Sequence, residues 1–337
     1  MSRVSPMIVF YSQLVVHPLL FTRLGVLLVV VATLLTPSPA SADFYPSRVK
    51  VFVANSGSDS VTVYDTRLAE VVATVPVGKY PVGVGAAPGG ERVYVTNEQS
   101  DTLSVLDARG HGVVATVPVG RNPYGVAVTP THAYVTNFGS DTVTVVDVAT
   151  NKPVRDVPVG RFPHSVAVSP NGKRVYVTNN GDRTVTVLDA GSHKPVATIP
   201  VGLYPAGVAV SPDGERVYVT NTGSNSVTVI DADDHRPART TPVGNAPLGV
   251  TVTPRGRVHV ANTGADTVSV LTPSGDPAGP AVPVAHLPEG TSANPDGSRV
   301  YLTNTGAGLM SLLDPVSGSV VSTVPVGKQP EGLAVTS

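Results

Sequence analysis

Tyr94-Val95-Thr96-Asn97 recurs as Tyr134-Val135-Thr136-Asn137, Tyr176-Val177-Thr178-Asn179 and Tyr218-Val219-Thr220-Asn221. Looser copies read Phe52-Val53-Ala54-Asn55, His259-Val260-Ala261-Asn262 and Tyr301-Leu302-Thr303-Asn304. The seven asparagines are separated by 42, 40, 42, 42, 41 and 42 residues. A near-constant period of this length implies one supersecondary unit stacked many times.

The repeat extends beyond the four-residue word. Ten residues after each Asn stands an Asp (65, 107, 147, 189, 231 and 314), replaced once by Thr272. A Pro-Val-Gly follows in every unit except one, which reads Pro283-Val284-Ala285, and a further Pro comes three residues later. A turn of the Ser-Pro-Asp/Asn-Gly kind comes next, clearest at 169–172 and 211–214. Each unit therefore reads as four short strands. In one unit they fall at 207–211, 216–221, 227–231 and the stretch that ends in Pro-Val-Gly. Val, Thr and Tyr suit a pleated surface, and the bounding Gly, Pro, Asn and Asp suit turns. No stretch after residue 42 carries a helical period.

Several strands are apolar at successive positions, as in Val143-Thr-Val-Val146, which fits sheets covered on both faces. Four-stranded sheets arranged around an axis meet that demand, because each is sandwiched between two others. The ends of the chain select a ring over an open stack. The first repeat begins at its second strand, near 48–55, and the chain finishes on Glu331-Gly-Leu-Ala-Val-Thr-Ser337, a lone first strand. The two halves complement each other and leave no open edge. The expected fold is all-β, a seven-bladed β-propeller over residues 43–337, closed by the C-terminal strand completing the N-terminal blade.

With these motifs in register seven times, the chain resembles the YVTN-type β-propeller repeat of bacterial and archaeal surface or exported proteins. The resemblance covers about residues 48–337 and implies fold and export far more than activity, since propellers host many functions. Residues 1–42 agree with export. They hold Arg3 and Arg23 and no acid, an aliphatic run over 24–35, and Ala40-Ser-Ala42 as a small-x-small cleavage site. This reads as a secretory signal peptide cleaved after Ala42, with Met7 as an alternative start because the segment before the apolar run is long. An uncleaved anchor is the competing reading, disfavoured by the short apolar run. The expected location is extracellular or in the cell envelope.

Removing that segment takes away two of the 23 basic residues and none of the 24 acids, leaving 21 against 24, a formal charge of −3. Nucleic acid is not an expected partner for such a balance. There is no cysteine, hence no disulfide, thiolate metal site or lipid-anchored Cys. No cofactor, metal or membrane span is expected in the mature chain, which is expected to be monomeric.

Chemistry must come from positions where the repeats differ. The residue after the second Pro reads Val82, Tyr124, His164, Ala206, Leu248, Glu289 and Glu331. Tyr124, His164, Glu289 and Glu331 are the ligand-binding candidates here. The two glutamates lie on adjacent repeats, and a carboxylate pair with a His can bind a cation or do acid–base work. Coincidental polar lining is the alternative, with His164 placed across the channel. The residue after Pro-Val-Gly gives a second set, Lys79, Arg121, Arg161 and Lys328, consecutive around the ring and able to form a basic arc for an anion. Ordinary solvated cations are the alternative. The loops after the word add Glu98, Phe138 and Asn180; Phe138 with Phe162 and Tyr124 would make a small aromatic patch, either a binding surface or, the favoured reading, packing between blades. The repeated Asp and Asn residues read as framework, because a group needed in every unit is needed by the fold.

No Gly-x-Ser-x-Gly, His-Glu-x-x-His or phosphate-binding Gly-rich motif is present. Three readings remain. The first is an exported scaffold that binds a protein, glycan or small anionic ligand through its loop face. The second is a lyase or hydrolase with a dispersed site at the channel mouth, as in some propeller enzymes. The third is a structural surface component. Ionisable side chains from three or more blades converging in one pocket would favour the enzyme, and a broad shallow face the scaffold.

Overall fold

The computed structural model describes residues 49–336. The signal-peptide assignment at 1–42 lies outside the described residues. Among the described residues, seven four-stranded antiparallel sheets follow one another as seven blades. Blade 5 is typical, with strands Pro205–Val210, Arg216–Asn221, Ser226–Asp231 and Arg236–Pro242 running from the channel outward. Blade 1 is the composite. Its innermost strand is Pro330–Val335, which pairs antiparallel with Lys50–Asn55 through Val51↔Val335, Phe52↔Ala334 and Val53↔Leu333. The closure expected from the two chain ends is the one observed.

The apolar runs are explained by what covers them. One cluster joins Tyr176, Val185, Val187 and Ile199 of blade 4 to Val208, Val217, Val219 and Ile230 of blade 5, and every other interface between blades follows the same plan. The core is thus distributed between blades, and the Tyr of the word is its largest buried member. Tyr134 and Tyr218 each reach a carbonyl of the following blade, at Ala190 and Pro273. His259, standing where the others have Tyr, does the same to Pro315 at 3.0 Å.

The framework reading of the repeated polar residues holds. Asp189 Oδ1 accepts from Ser192 N at 2.9 Å, and Asp107 Oδ1 from the amides of Arg109 and Gly110, each bracing the turn that follows. Asn221 is fully buried; it accepts from Gly202 N at 3.0 Å and donates to Ser226 and Thr228. Blade 6 departs from the pattern, with an outer strand of only Val282–Pro283. Its stretch 272–283 carries prolines at 273, 277, 280 and 283, which cannot donate to a ladder.

The detail that builds the channel is a bulge. In blade 5, Pro205 pairs with Asn221 and Val208 with Val219, so Ala206 and Gly207 together face the single residue Thr220. The same two-against-one arrangement recurs in every blade. A bulge bends its strand and re-aims a side chain. The first bulged residue is the varying position after the second Pro, and it faces the channel. The second is Gly in six blades and Ser165 in the other. A Cβ at Gly249 would fall 2.0 Å from the Glu289 carbonyl oxygen of the next blade. Glycine here lets neighbouring innermost strands approach closely.

Candidate functional site

The Thr of the word closes the bulge opposite it. Thr96 Oγ1 accepts from Gly83 N at 2.8 Å and donates to the carbonyl of Tyr124, in the next blade, at 2.6 Å. Thr136 and Thr178 hold the carbonyls of His164 and Ala206 at 2.8 and 2.7 Å, Thr220 that of Leu248, and Thr303 that of Glu331. Five of the seven channel positions are thereby fixed through backbone alone, and their side chains are free to differ.

Around the ring the order is Glu331, Val82, Tyr124, His164, Ala206, Leu248 and Glu289, from blades 1 to 7. A cavity of about 210 Å³ opens at this end of the channel, lined by Val82, Tyr124, His164, Leu248 and Glu289, the bulge backbone and the mostly valine positions that follow it. Tyr124 and His164 touch, with ring centroids 4.0 Å apart. Phe138 lies 6.4 Å from Tyr124 and stacks on Phe162 at 5.1 Å and 22°. The expected aromatic patch exists, and it runs from the exposed Phe162 inward to His164.

Glu289 and Glu331 come from blades 7 and 1, which adjoin through ring closure. Their carboxyls are within hydrogen-bonding reach of each other. Thr305 Oγ1 lies 2.8 Å from Glu289 Oε2. Glu331 is 7% exposed, set beside the cavity rather than in its wall. Burial, and then the charge of Glu289, pushes the Glu331 carboxyl up to about 8. Burial also raises Glu289, against the lowering effect of its bonds from Thr305 and Glu331. Two carboxyls this buried and this close favour sharing a proton over carrying two charges. Burial raises Glu98 too, and Tyr124 is raised well above its ordinary value by burial and then by Glu289, Glu331 and Glu98. The Tyr124 phenol is a permanent donor. His164 is driven down to about 4 by burial and is neutral; Ala206 supplies its backbone partner, and its buried Nδ1 has none.

The four candidates after the second Pro are thus brought to one place, and the acids lie close enough to His164's neighbour Tyr124 to act on it electrostatically. The basic set behaves differently. Lys79 pairs with Asp59 and Arg161 with Asp182, each at 2.6 Å, while Arg121 and Lys328 are exposed. None of the four lines the cavity. Tyr80, near enough to Glu331 and Tyr124 to act on both, and Thr305, beside Glu289, are not among the residues the sequence points to. Thr305 occupies the position of Glu98, Phe138 and Asn180, directly after the word, so the signal lay in a column already marked as variable.

Residues 104–276 match the family model described as a lactonase, 7-bladed beta-propeller. The chain belongs to that lactonase propeller family. No curated protein matches it in sequence. Among solved structures, this family member resembles hydrazine synthase of Kuenenia stuttgartiensis, with 24% identity over 75% of this chain and 88% of that one and a TM-score of 0.69. A protein of unknown function from Desulfotomaculum acetoxidans is 17% identical over 85% of this chain and 98% of that one, with a TM-score of 0.76. A candidate 6-phosphogluconolactonase from Bacteroides fragilis is 14% identical over 89% and 100%, with a TM-score of 0.74. At these identities the likeness is one of fold.

Proposed function

We propose that the channel cavity is the active site of a hydrolase for small cyclic esters. The observation that carries this reading is the buried Glu289–Glu331 carboxyl pair, gathered at one mouth with Tyr124 and His164. Ionisable groups from blades 1, 3, 4 and 7 gather there, which supports an enzyme over a shallow scaffold face. Glu289, charged and in the cavity wall, takes a proton from water as the water oxygen attacks the lactone carbonyl carbon. Tyr124 donates its hydroxyl hydrogen bond to the oxyanion that develops. When the ring C–O bond breaks, the departing oxygen recovers the proton from Glu289, giving a hydroxy acid. Glu331 does not touch the substrate. Its shared proton keeps Glu289 poised near neutral pH.

The test is hydrolysis of a lactone panel by the purified protein, followed by pH change, alongside Glu289→Gln and Tyr124→Phe. Loss of turnover in both with unchanged thermal unfolding supports the reading. Turnover retained in Glu289→Gln removes it. Export through cleavage after Ala42 is proposed on residues 1–42 and on the resemblance of the repeats to YVTN-type exported proteins; N-terminal sequencing of the protein from the culture medium or cell envelope tests it. The folded unit proposed to remain is 43–337, acting as a monomer.

A further inference from the structure

The cavity has two unlike walls. On one side stand the aromatic rings of Tyr124 and His164, backed by Phe138. On the other stands Glu289, with the buried Glu331 beside it. Among the described residues, no lysine or arginine lines the space. Of the rim cations, Lys79 and Arg161 are turned to their own aspartates, and Arg121 and Lys328 are exposed outside the cavity wall. Charge in this space is therefore of one sign, and the protein supplies nothing to balance it.

We propose that the cavity recognises a small organic ammonium ion, so that the preferred substrate is an ester or lactone carrying a protonated amine. Three features favour this over a neutral or anionic ligand. Glu289 stands in the cavity wall, and the Thr305 hydroxyl 2.8 Å from its Oε2 is shared with the Pro330 carbonyl at 2.6 Å. The Tyr124 ring offers a face on which a cation is attracted by the aromatic quadrupole. His164 Nδ1 is a buried acceptor without a partner, and an N–H of an alkylammonium supplies the missing donor. A bare metal ion fits less well, because among the described residues no three His, Asp or Glu groups converge to hold one. An anion such as a sugar phosphate would meet Glu289 and Glu331 with no cation to receive it. The titratable groups in the wall are Tyr124, His164 and Glu289, with Glu98, Glu331 and Tyr80 near enough to act on Tyr124; acids and phenols cannot be cationic, and burial holds His164 neutral.

The inference rests on the cavity being a small-molecule site and not on its turning anything over, and one ligand series separates the two. Cyclohexylammonium, cyclohexanol and cyclohexanecarboxylate share a ring and differ in charge. Titration calorimetry of the full chain at pH 7 is expected to show the ammonium bound about tenfold more tightly than the alcohol, with no binding of the carboxylate. Glu289→Gln is expected to abolish the preference, and Lys79→Ala to leave it intact. Heats measured in two buffers of different ionisation enthalpy are expected to reveal proton release on binding, as the cation displaces the proton held by the glutamate pair. Equal affinity for ammonium and alcohol, tighter binding of the carboxylate, or no binding of any member overturns the proposal. So does a preference that survives in Glu289→Gln. Ammonium binding without hydrolysis of any lactone keeps this inference and retires the hydrolase; hydrolysis of neutral lactones with no ammonium preference does the reverse.

Discussion

Thr96 and Tyr124 meet at one hydrogen bond and teach opposite lessons. The threonine is fully buried and recurs in five blades; it holds the tyrosine by its carbonyl. The tyrosine sits in a bulge, its backbone fixed and its side chain given to the channel. The framework column grips only main-chain atoms, so the column beside it is free to hold Val, Tyr, His, Ala, Leu or Glu without disturbing the ring. Two blades lack the grip. Ala54 and Ala261 stand where the threonine would be, and the positions they leave unheld are Val82 and Glu289. The proposed base is therefore one of two channel residues whose carbonyl receives no threonine hydroxyl.

If the two columns divide labour in this way, substitutions should fall into two classes. The largest effect belongs to the chemical column. Glu289→Gln is expected to lower kcat/KM for the preferred lactone by about 100-fold or more, the usual yield of a positioned general base, with the unfolding temperature unchanged. Steady-state rates and a melting curve on the same sample decide it, and loss of folding together with activity would blur the division. Next comes Gly249→Ala, which places a methyl group 2.0 Å from the Glu289 carbonyl oxygen. It is expected to cost about 3 kcal/mol, measured by denaturant unfolding, because two innermost strands must separate. Thr178→Val follows. It strips the partner of Ser165 N and one of the two partners of the buried Ala206 carbonyl, which His164 also reaches, at about 2 kcal/mol. Neither Gly249 nor Thr178 offers a side-chain group to a substrate, so activity per folded molecule should survive Thr178→Val.

The columns were legible in the sequence to different degrees. Seven copies of the word, with three strands of one blade at the N-terminal end and its fourth at the C-terminal end, determine the ring, because sheet pairing and closure follow from strand order alone. The varying column was legible as a place. Its chemistry was not, since whether Glu289 and Glu331 share a proton depends on how deeply closure buries both carboxyls. His164 stands on Tyr124, in the wall opposite Glu289, so its place across the channel from the acids is that of a second wall of one cavity. The threonine grip was invisible, because a bulge that leaves two residues against one does not disturb the spacing of the repeat. Lys79, Arg121, Arg161 and Lys328 were just as regular in sequence, yet their loop carries them outward to the rim, where aspartates from neighbouring hairpins engage two of them.

The glutamate pair adds a pH signature that no framework residue can imitate. The Glu331 carboxyl, ordinarily near 4.5, rises to about 8 in the folded chain. Between those values the folded protein keeps a proton that the unfolded chain has released, so stability falls as pH rises through that window. Denaturant unfolding at pH 5 and pH 8 should show a decline in the wild type and a flatter profile in Glu331→Gln. Parallel profiles would mean that the pair does not share a proton.

The smallest expected effect sharpens the comparison from outside. Lys79 is 71% exposed and its partner Asp59 36%, so water and salt screen most of their attraction. Lys79→Ala is expected to change stability by no more than about 0.5 kcal/mol and to leave turnover alone. The position varies between repeats as freely as position 124 does, and it lies on the same face of the propeller. What separates them is direction: residue 124 is turned inward by a bulge whose backbone is gripped on both sides, whereas residue 79 follows a Pro-Val-Gly corner into solvent. A tenfold loss of activity in Lys79→Ala would show that the rim steers substrate by charge, and variability alone would then mark function in this ring regardless of where the side chain points.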